Sequence, residues 1–284
     1  MSFKSAAAIL LSCLSLMAGM NVSKAADDAN VGVTFYAMGD VPYAPGEDVI
    51  LPKQIANIPS DAEFVIHVGD IKRGLPLCTE SVYQKVAGML GKSAAPVFII
   101  PGDNEWNDCI DPVQAWKYWD QYFMKYDRRW KHSLAVERQK IREENFAFVK
   151  GGVLFVGLNI VGGRVHDEQE WKLRHAGDLD WVKSNLQRFG NEISSLVIFG
   201  HAKPAKVHND FFEPFNKVAE DFGKPVLYLH GDGHKWIHDR PFKAQNILRV
   251  EVDQGGIAPP VKVTVTGHST EPFVFDRRNG KNAS

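Results

Sequence analysis

Five times along this 284-residue chain an apolar run ends at a glycine that is followed at once by an acidic or imidazole side chain. The five read Met38-Gly39-Asp40-Val41-Pro42-Tyr43, Val68-Gly69-Asp70-Ile71-Lys72, Pro101-Gly102-Asp103-Asn104-Glu105-Trp106, Phe199-Gly200-His201-Ala202-Lys203-Pro204 and Leu229-His230-Gly231-Asp232-Gly233-His234. Glycine lets the backbone turn sharply and approach its neighbours closely, so the next side chain projects off the strand end. One Gly-Asp is ordinary turn chemistry. Five such ends, mixing carboxylate with imidazole, predict strands whose carboxyl ends meet around one crevice, where open α/β sheets collect functional groups.

Between these ends, short apolar runs alternate with longer amphipathic ones. Segments rich in Val, Ile and Phe and bounded by Gly, Pro or Asp predict strands over residues 33–38, 64–68, 97–100, 145–149, 153–158, 196–199, 226–230, 247–252 and 261–266. Helices are expected over 52–57, 79–91, 112–126, 178–189 and 210–222. In the third, Val113, Trp116, Trp119, Phe123 and Tyr126 recur at spacings of three and four and predict one buried stripe. The early alternation of strand and helix requires parallel βαβ connections. From Phe146 onward hairpin-like pairs appear, around Gly151-Gly152 and again between Ile247 and Thr266. The expected fold class is mixed α/β, with mixed β-sheets facing each other and helices outside. No repeat, low-complexity tract or Pro/Ser linker divides the chain, so one domain over residues 26–284 is expected.

The first 25 residues read as a leader. Met1 to Lys4 is a short basic start, Ala6 to Ala18 is apolar, and Ser23-Lys24-Ala25 is a small-x-small cleavage pattern. Lipid attachment at Cys13 is the alternative, opposed by Leu11 and the continuing apolar run. A signal peptide places the mature chain in a periplasm or outside the cell. No second apolar stretch approaches membrane-spanning length. The 33 basic and 34 acidic residues balance to −1, and cleavage removes Lys4 and Lys24 to leave 31 against 34. That balance gives no footprint for nucleic acid or an anionic membrane, and 44% hydrophobic content excludes a mostly disordered chain. Once Cys13 leaves, Cys78 and Cys109 remain, and in an oxidising compartment such a pair is bridged more often than free.

In order, strand context and spacing, the stretch from Gly39 to His234 resembles the calcineurin-like metallophosphoesterases, a family that includes the purple acid phosphatases. Downstream strands extend the resemblance to about residue 275, and Glu170-Trp171 through Arg174 to Trp181-Val182 looks like the family's helix before its lone His. The resemblance implies two packed mixed sheets flanked by helices in a four-layer sandwich, and two divalent metal ions (Mn, Fe, Zn or Mg) bridged by one carboxylate. Asp40 and His234 match first-metal ligands, Asp70 the bridging carboxylate and His201 the second-metal His. Asp103 stands where the family has Asn, and Asp232 where it has the first His of G-H-x-H; both keep an oxygen donor. Pro42 stands where D-x-H supplies a His, and Asn104 where G-N-H places the His credited with protonating the leaving group. The implied activity is hydrolysis of a phosphorylated small molecule.

Four carboxylates with two imidazoles make a hard, oxygen-rich donor set that shifts preference toward Mn, Mg or Ca. Two ions there would polarise a phosphoryl group and activate water, while loss of a general acid removes about 10²–10⁴-fold in rate. Lys72 is the candidate phosphate-facing cation, and Glu105 and His230 are candidate replacements for the proton donor. The alternative is a member of the fold that binds metal or a phosphorylated ligand without turnover. His230 also reads as a packed strand-end residue, Lys72 and Arg73 as solvated loop charges, and Asn159 as a site hydrogen-bonder or a turn residue. Trp106, Trp116, Trp119 and Trp130, with Lys117, Lys125, Arg128 and Arg129 among them, read as core with a solvated basic face rather than as a nucleic-acid surface. His166, His175, His208, His238 and His268 show no ligand spacing and are expected at the surface.

Overall fold

A computed structural model describes Met1 and residues 32–75 and 77–278. The leader expected over residues 1–25 lies, Met1 apart, outside the described residues. The chain first lays down β1 (Val33–Met38), α1 (Glu47–Ala56), β2 (Phe64–His67), α2 (Glu80–Leu90) and β3 (Val97–Ile99). These three strands are parallel neighbours. Later β11 (Val261–Val265) adds antiparallel to β1, with Val263 opposite Phe35, and β12 (Phe273–Asp276) completes a sheet ordered β12-β11-β1-β2-β3.

A second sheet takes β4 (Glu137–Gln139), β5 (Arg142–Lys150), β6 (Val153–Gly157), β7 (Ser195–Phe199), β8 (Val226–His230), β9 (Ile237–Asp239) and β10 (Ile247–Glu251), in the order β4-β5-β6-β7-β8-β10-β9. Its centre, β6 through β7 and β8 to β10, is parallel, and its edges are antiparallel. The expected hairpin at Gly151-Gly152 joins β5 to β6, both glycines having φ in the left-handed region, 55° and 72°.

Strand sequences such as VTFYAM carry few polar residues because both sheet faces are covered. Alternate residues of β1 divide between two cores: Phe35 and Ala37 face the other sheet, while Tyr36 and Met38 face helices. Phenylalanines fill the layer between the sheets. Phe64 stacks on Phe35 at 4.9 Å and meets Phe148 and Phe155 of the opposite sheet edge-on at 5.3 and 5.2 Å. Helices α1, α2 and α3 (Pro112–Phe123) cover the outer face of the five-stranded sheet. Helices α4 (Glu168–Phe189) and α5 (Asn209–Phe222) cover that of the seven-stranded one. The expected α/β class, two mixed sheets flanked by helices, is what the chain adopts.

Four expectations change. The 247–266 segment is not a hairpin: β10 pairs with β8 and β9, β11 with β1 and β12, and the connection crosses between sheets. Helix α4 begins ten residues before the expected 178, capped by the Asp167 carboxylate on the Gln169 and Glu170 amides. Its buried face is polar enough, with Arg174, His175 and Asp178, to hide the apolar period. His175 and His208 are therefore buried between α4 and α5 rather than at the surface, with His175 Nδ1 2.6 Å from Asp210 and Nε2 3.3 Å from His208. In α3 the buried residues are Ala115, Trp119 and Phe123, and Val113 is 69% exposed.

Phe64→Ala, which empties the centre of the inter-sheet layer, is expected to cost roughly 3–5 kcal/mol of unfolding free energy in a denaturant titration.

Candidate metal centre

All three parallel strands of the smaller sheet end at one edge, and backbone hydrogen bonds tie the loops beyond them. The Asp40 amide donates to Gly69 and the Val41 amide to Asp70, both at 3.0 Å. Gly102 must be glycine, since a Cβ there would lie 2.2 Å from the Asp70 amide nitrogen. Asp40, Asp70, Asp232 and His234 all have positive φ, 57°, 62°, 75° and 64°. Each such residue costs about 1 kcal/mol and persists only where its surroundings fix it, a situation typical of functional sites.

These turns bring the predicted ligands together. Asp40, Asp70 and His201 present ligand atoms within 4.8 Å of one another, and so do Asp103, His201 and Asp232. His234 Nε2 lies 3.3 Å from Asp40 Oδ1. His201 Nδ1 sits 2.7 Å from the Val68 carbonyl oxygen, which can only accept, so Nδ1 carries hydrogen and Nε2 is turned toward the carboxylates. Nε2 is 3.0 Å from Asp103 Oδ1 and 3.4 Å from Asp70 Oδ1. That arrangement fixes the tautomer in which an imidazole ligates through Nε2.

The donor set fits divalent cations. Asp40 Oδ2, Asp103 Oδ1 and His201 Nε2 are buried and have no hydrogen-bond partner, a costly condition for a polar atom unless something else meets it. Burial first, then the charges of Asp103, Glu105 and Asp40 against the opposing pull of His201, hold the Asp70 carboxyl well above the usual range. Burial disfavours a charged His201, yet Asp70 and Asp103 outweigh it and hold the imidazole pKa well above its ordinary value. Asp232 is raised, chiefly by burial and then by Asp103. An acidic cluster thus traps protons that a cation would replace.

The remaining candidates take other places. Asn104 clamps Asp70: its amide donates to Oδ1 at 3.0 Å, and its side-chain Nδ2 donates to Oδ2. Lys72 is buried, with Nζ donating to the carbonyls of Arg73 (2.7 Å), Asn104 (2.9 Å) and Gly74 (3.3 Å). Glu105 is fully buried, and its Oε1 accepts from the Gly102 amide at 2.6 Å and the Asp70 amide at 3.3 Å. His230 is buried against Tyr228, 4.0 Å from Glu251, and burial pushes its pKa down to about 3, so it is neutral at neutral pH. Asn159 is buried, and its hydrogen bonds go to Asn145, Glu144 and Arg174.

Tyr43 was not anticipated. Its hydroxyl donates to Asp70 Oδ2 at 2.5 Å, lies 3.2 Å from Asp40 Oδ1, and accepts from Asn104 Nδ2 at 3.1 Å. Burial, then Asp70 and Asp40, push its phenol pKa up, so it keeps its proton. The available signal was its place beside Pro42, where the resemblance lacks a histidine.

A Cys78–Cys109 disulfide lies against the Asn104 backbone, with a Cα–Cα distance of 6.0 Å. Its sulfurs lie 3.5 and 3.6 Å from the same Asn104 carbonyl oxygen that receives Lys72.

The calcineurin-like phosphoesterase family matches residues 34–269 of this chain. The chain belongs to that family. A search of curated protein sequences finds no match. Among solved structures the chain is similar to the purple acid phosphatase PPD1 from yellow lupin (Lupinus luteus) seeds, with a TM-score of 0.56 and 11% identity, over 90% of this chain and 53% of that one. It is likewise similar to the 5'-nucleotidase of Candida albicans SC5314, with a TM-score of 0.53 and 13% identity, over 86% of this chain and 50% of that one. The chain thus spans about half the length of each, and likeness at these identities establishes the fold.

Two measurements follow from this geometry. Adding Mn²⁺ at a hundredfold excess over Kd to chelator-treated protein is expected to stabilise it by about 2.7 kcal/mol for each ion bound, a rise in Tm of roughly 5–10 °C per ion, and Asp70→Asn is expected to remove most of that rise. Reducing the disulfide, whose cysteines are 31 residues apart, is expected to cost about 3–4 kcal/mol in the chain-entropy account, read as a shift in denaturant midpoint between oxidised and reduced protein.

Proposed function

We propose that this chain is a secreted or periplasmic phosphoesterase working through two divalent ions, with residues 1–25 a cleaved signal and residues 26–284 one domain. The observation that carries the reading is the convergence of three buried, unpartnered ligand atoms, on Asp40, Asp103 and His201, within a chain of the phosphoesterase family. The disulfide supports the compartment. Among the described residues, no helix is long and apolar enough to cross a membrane.

In this reading Asp40 and His234 would hold one ion, Asp103, His201 and Asp232 would hold the other, and Asp70 would serve both. The ions supply Lewis-acid polarisation of a phosphoryl oxygen and a lowered pKa for water. Residues of the chain do the rest. Asn104 orients Asp70 through both carboxylate oxygens. Val68 fixes the tautomer of His201. Tyr43 donates its hydroxyl proton to Asp70 and accepts from Asn104, so it positions that carboxylate, and its raised pKa makes it a weak acid. Lys72 and Glu105 act as positioning residues, the first on the Asn104 carbonyl and the second on the Gly102 and Asp70 amides.

A second reading, metal binding without turnover, is favoured by Asn104 itself, an amide that cannot replace an imidazole as acid. Turnover separates the two. With Mn²⁺, the mature protein is expected to hydrolyse 4-nitrophenyl phosphate, Asp70→Asn to lower kcat by two orders of magnitude or more, and Tyr43→Phe, which removes one hydrogen bond to Asp70, to lower it about tenfold for good and poor leaving groups alike. Folded, metal-loaded protein that turns over no phosphate ester with Mn²⁺, Fe²⁺, Zn²⁺ or Mg²⁺ would establish the second reading.

A further inference from the structure

Beside the carboxylate crevice lies a recess of about 980 Å³, within the range of small-molecule sites and unused by the chemistry above. Two loops that build the crevice continue into its walls. Trp106 follows Asp103 by three residues in one helical turn, a rise of only about 5 Å. Opposite it run Arg164, Val165 and His166, just past Gly162, where a Cβ would lie 3.0 Å from Asp103 Oδ1 and 3.1 Å from Asp232 Oδ1. Asn107 joins the walls, donating to the Arg164 carbonyl at 2.6 Å and facing His166 Nδ1 at 2.6 Å. The recess and the ligand cluster therefore share two loops.

Six of the thirteen lining residues are apolar, Trp106, Pro112, Val113, Trp116, Ile141 and Val165. Trp106 and Trp116 meet at 4.6 Å, and Val113, Ile141 and Val165 stand on the rim at 69%, 81% and 41% exposure. Apolar side chains gathered like this around a concavity mark a binding surface. The charges in the lining are mostly engaged already. Arg142 lies 3.6 Å from Glu144 and 3.3 Å from Glu170, Arg164 donates to the Cys109 carbonyl at 2.6 Å, and Asp167 caps α4. Lys117 stands exposed at the edge.

We propose that this recess holds the alcohol portion of the substrate, and that the substrate is a phosphate ester of a bulky, planar, apolar alcohol rather than of a small polyol. The reaction part rests on the phosphoesterase reading; the binding part does not. In the hydrolysis the bond between phosphorus and the aryl oxygen breaks and water's oxygen takes its place. The aryl oxygen leaves with a proton as the free alcohol, and inorganic phosphate is released.

The test compares 2-naphthyl with phenyl phosphate, whose leaving groups are similarly acidic, and measures calorimetrically the binding of 2-naphthol to chelator-treated protein. Wild type is expected to favour the naphthyl ester about tenfold in kcat/KM, the effect of burying one more ring. Val113→Asp and Ile141→Asp are expected to collapse that ratio toward one and to weaken 2-naphthol binding about tenfold. Both positions are exposed, and an acid near the start of α3 suits the helix dipole, so both variants keep the fold. A naphthyl-to-phenyl ratio near one in wild type, or 2-naphthol bound equally by wild type and both variants, would overturn the assignment. Naphthol binding that follows expectation while no ester is turned over would leave the recess standing and remove the phosphoesterase reading instead.

Discussion

Burying Asp40, Asp70 and Asp103 beside the half-buried Asp232 carries a desolvation cost of several kcal/mol per buried charge, and their mutual repulsion adds to it. His201 supplies at most one positive charge, and His234 a second at the exposed edge. Protons held on the Asp70 carboxyl and the His201 imidazole, whose pKa values stand well above the ordinary ones, relieve the imbalance, and divalent cations would relieve it with more charge. The positive φ of three of the ligand-bearing turns, together with that of His234, adds a further local cost, and both costs are offset by the inter-sheet phenylalanine layer and the two helical layers outside it.

Holding such a cluster requires the loops to be tied from below, and the chain does this with polar groups that have no other task. Glu105 bonds the Gly102 and Asp70 amides together, and Lys72 draws in three carbonyls. The Tyr83 hydroxyl of α2 donates to the Glu105 carbonyl, and the disulfide rests against the Asn104 carbonyl. Asn104 is the meeting point: its backbone is held by Lys72 and the disulfide, and its side chain holds Asp70 and Tyr43. Preorganisation of this kind is what a site needs if its own groups repel one another.

The strand ends were legible because Gly-Asp at the end of an apolar run is a local pattern, and the parallel topology does the gathering. The pairing of Cys78 with Cys109 was legible from compartment and parity. Tyr43 was not, since its meaning depends on the path of the loop after Pro42, and tyrosine in a loop has no pattern of its own. Lys72 and Glu105 were recognised as belonging near the cluster, but whether a long charged side chain faces a ligand or a backbone carbonyl depends on loops distant in sequence. Apolar periodicity missed the start of α4, which the resemblance from Glu170 to Val182 marked, because its buried face bonds Arg174 and His175 rather than packing aliphatics. Val113 reads as core by spacing alone, yet α3 turns Ala115, Trp119 and Phe123 inward and leaves Val113 on the rim of the recess.

Metal stoichiometry tests the central claim most directly. Elemental analysis of purified mature protein equilibrated with Mn²⁺ and freed of excess ion should give two ions per chain, falling to one or none in Asp70→Asn. One ion per chain or none in the wild type, or the same content in wild type and Asp70→Asn, would contradict the account.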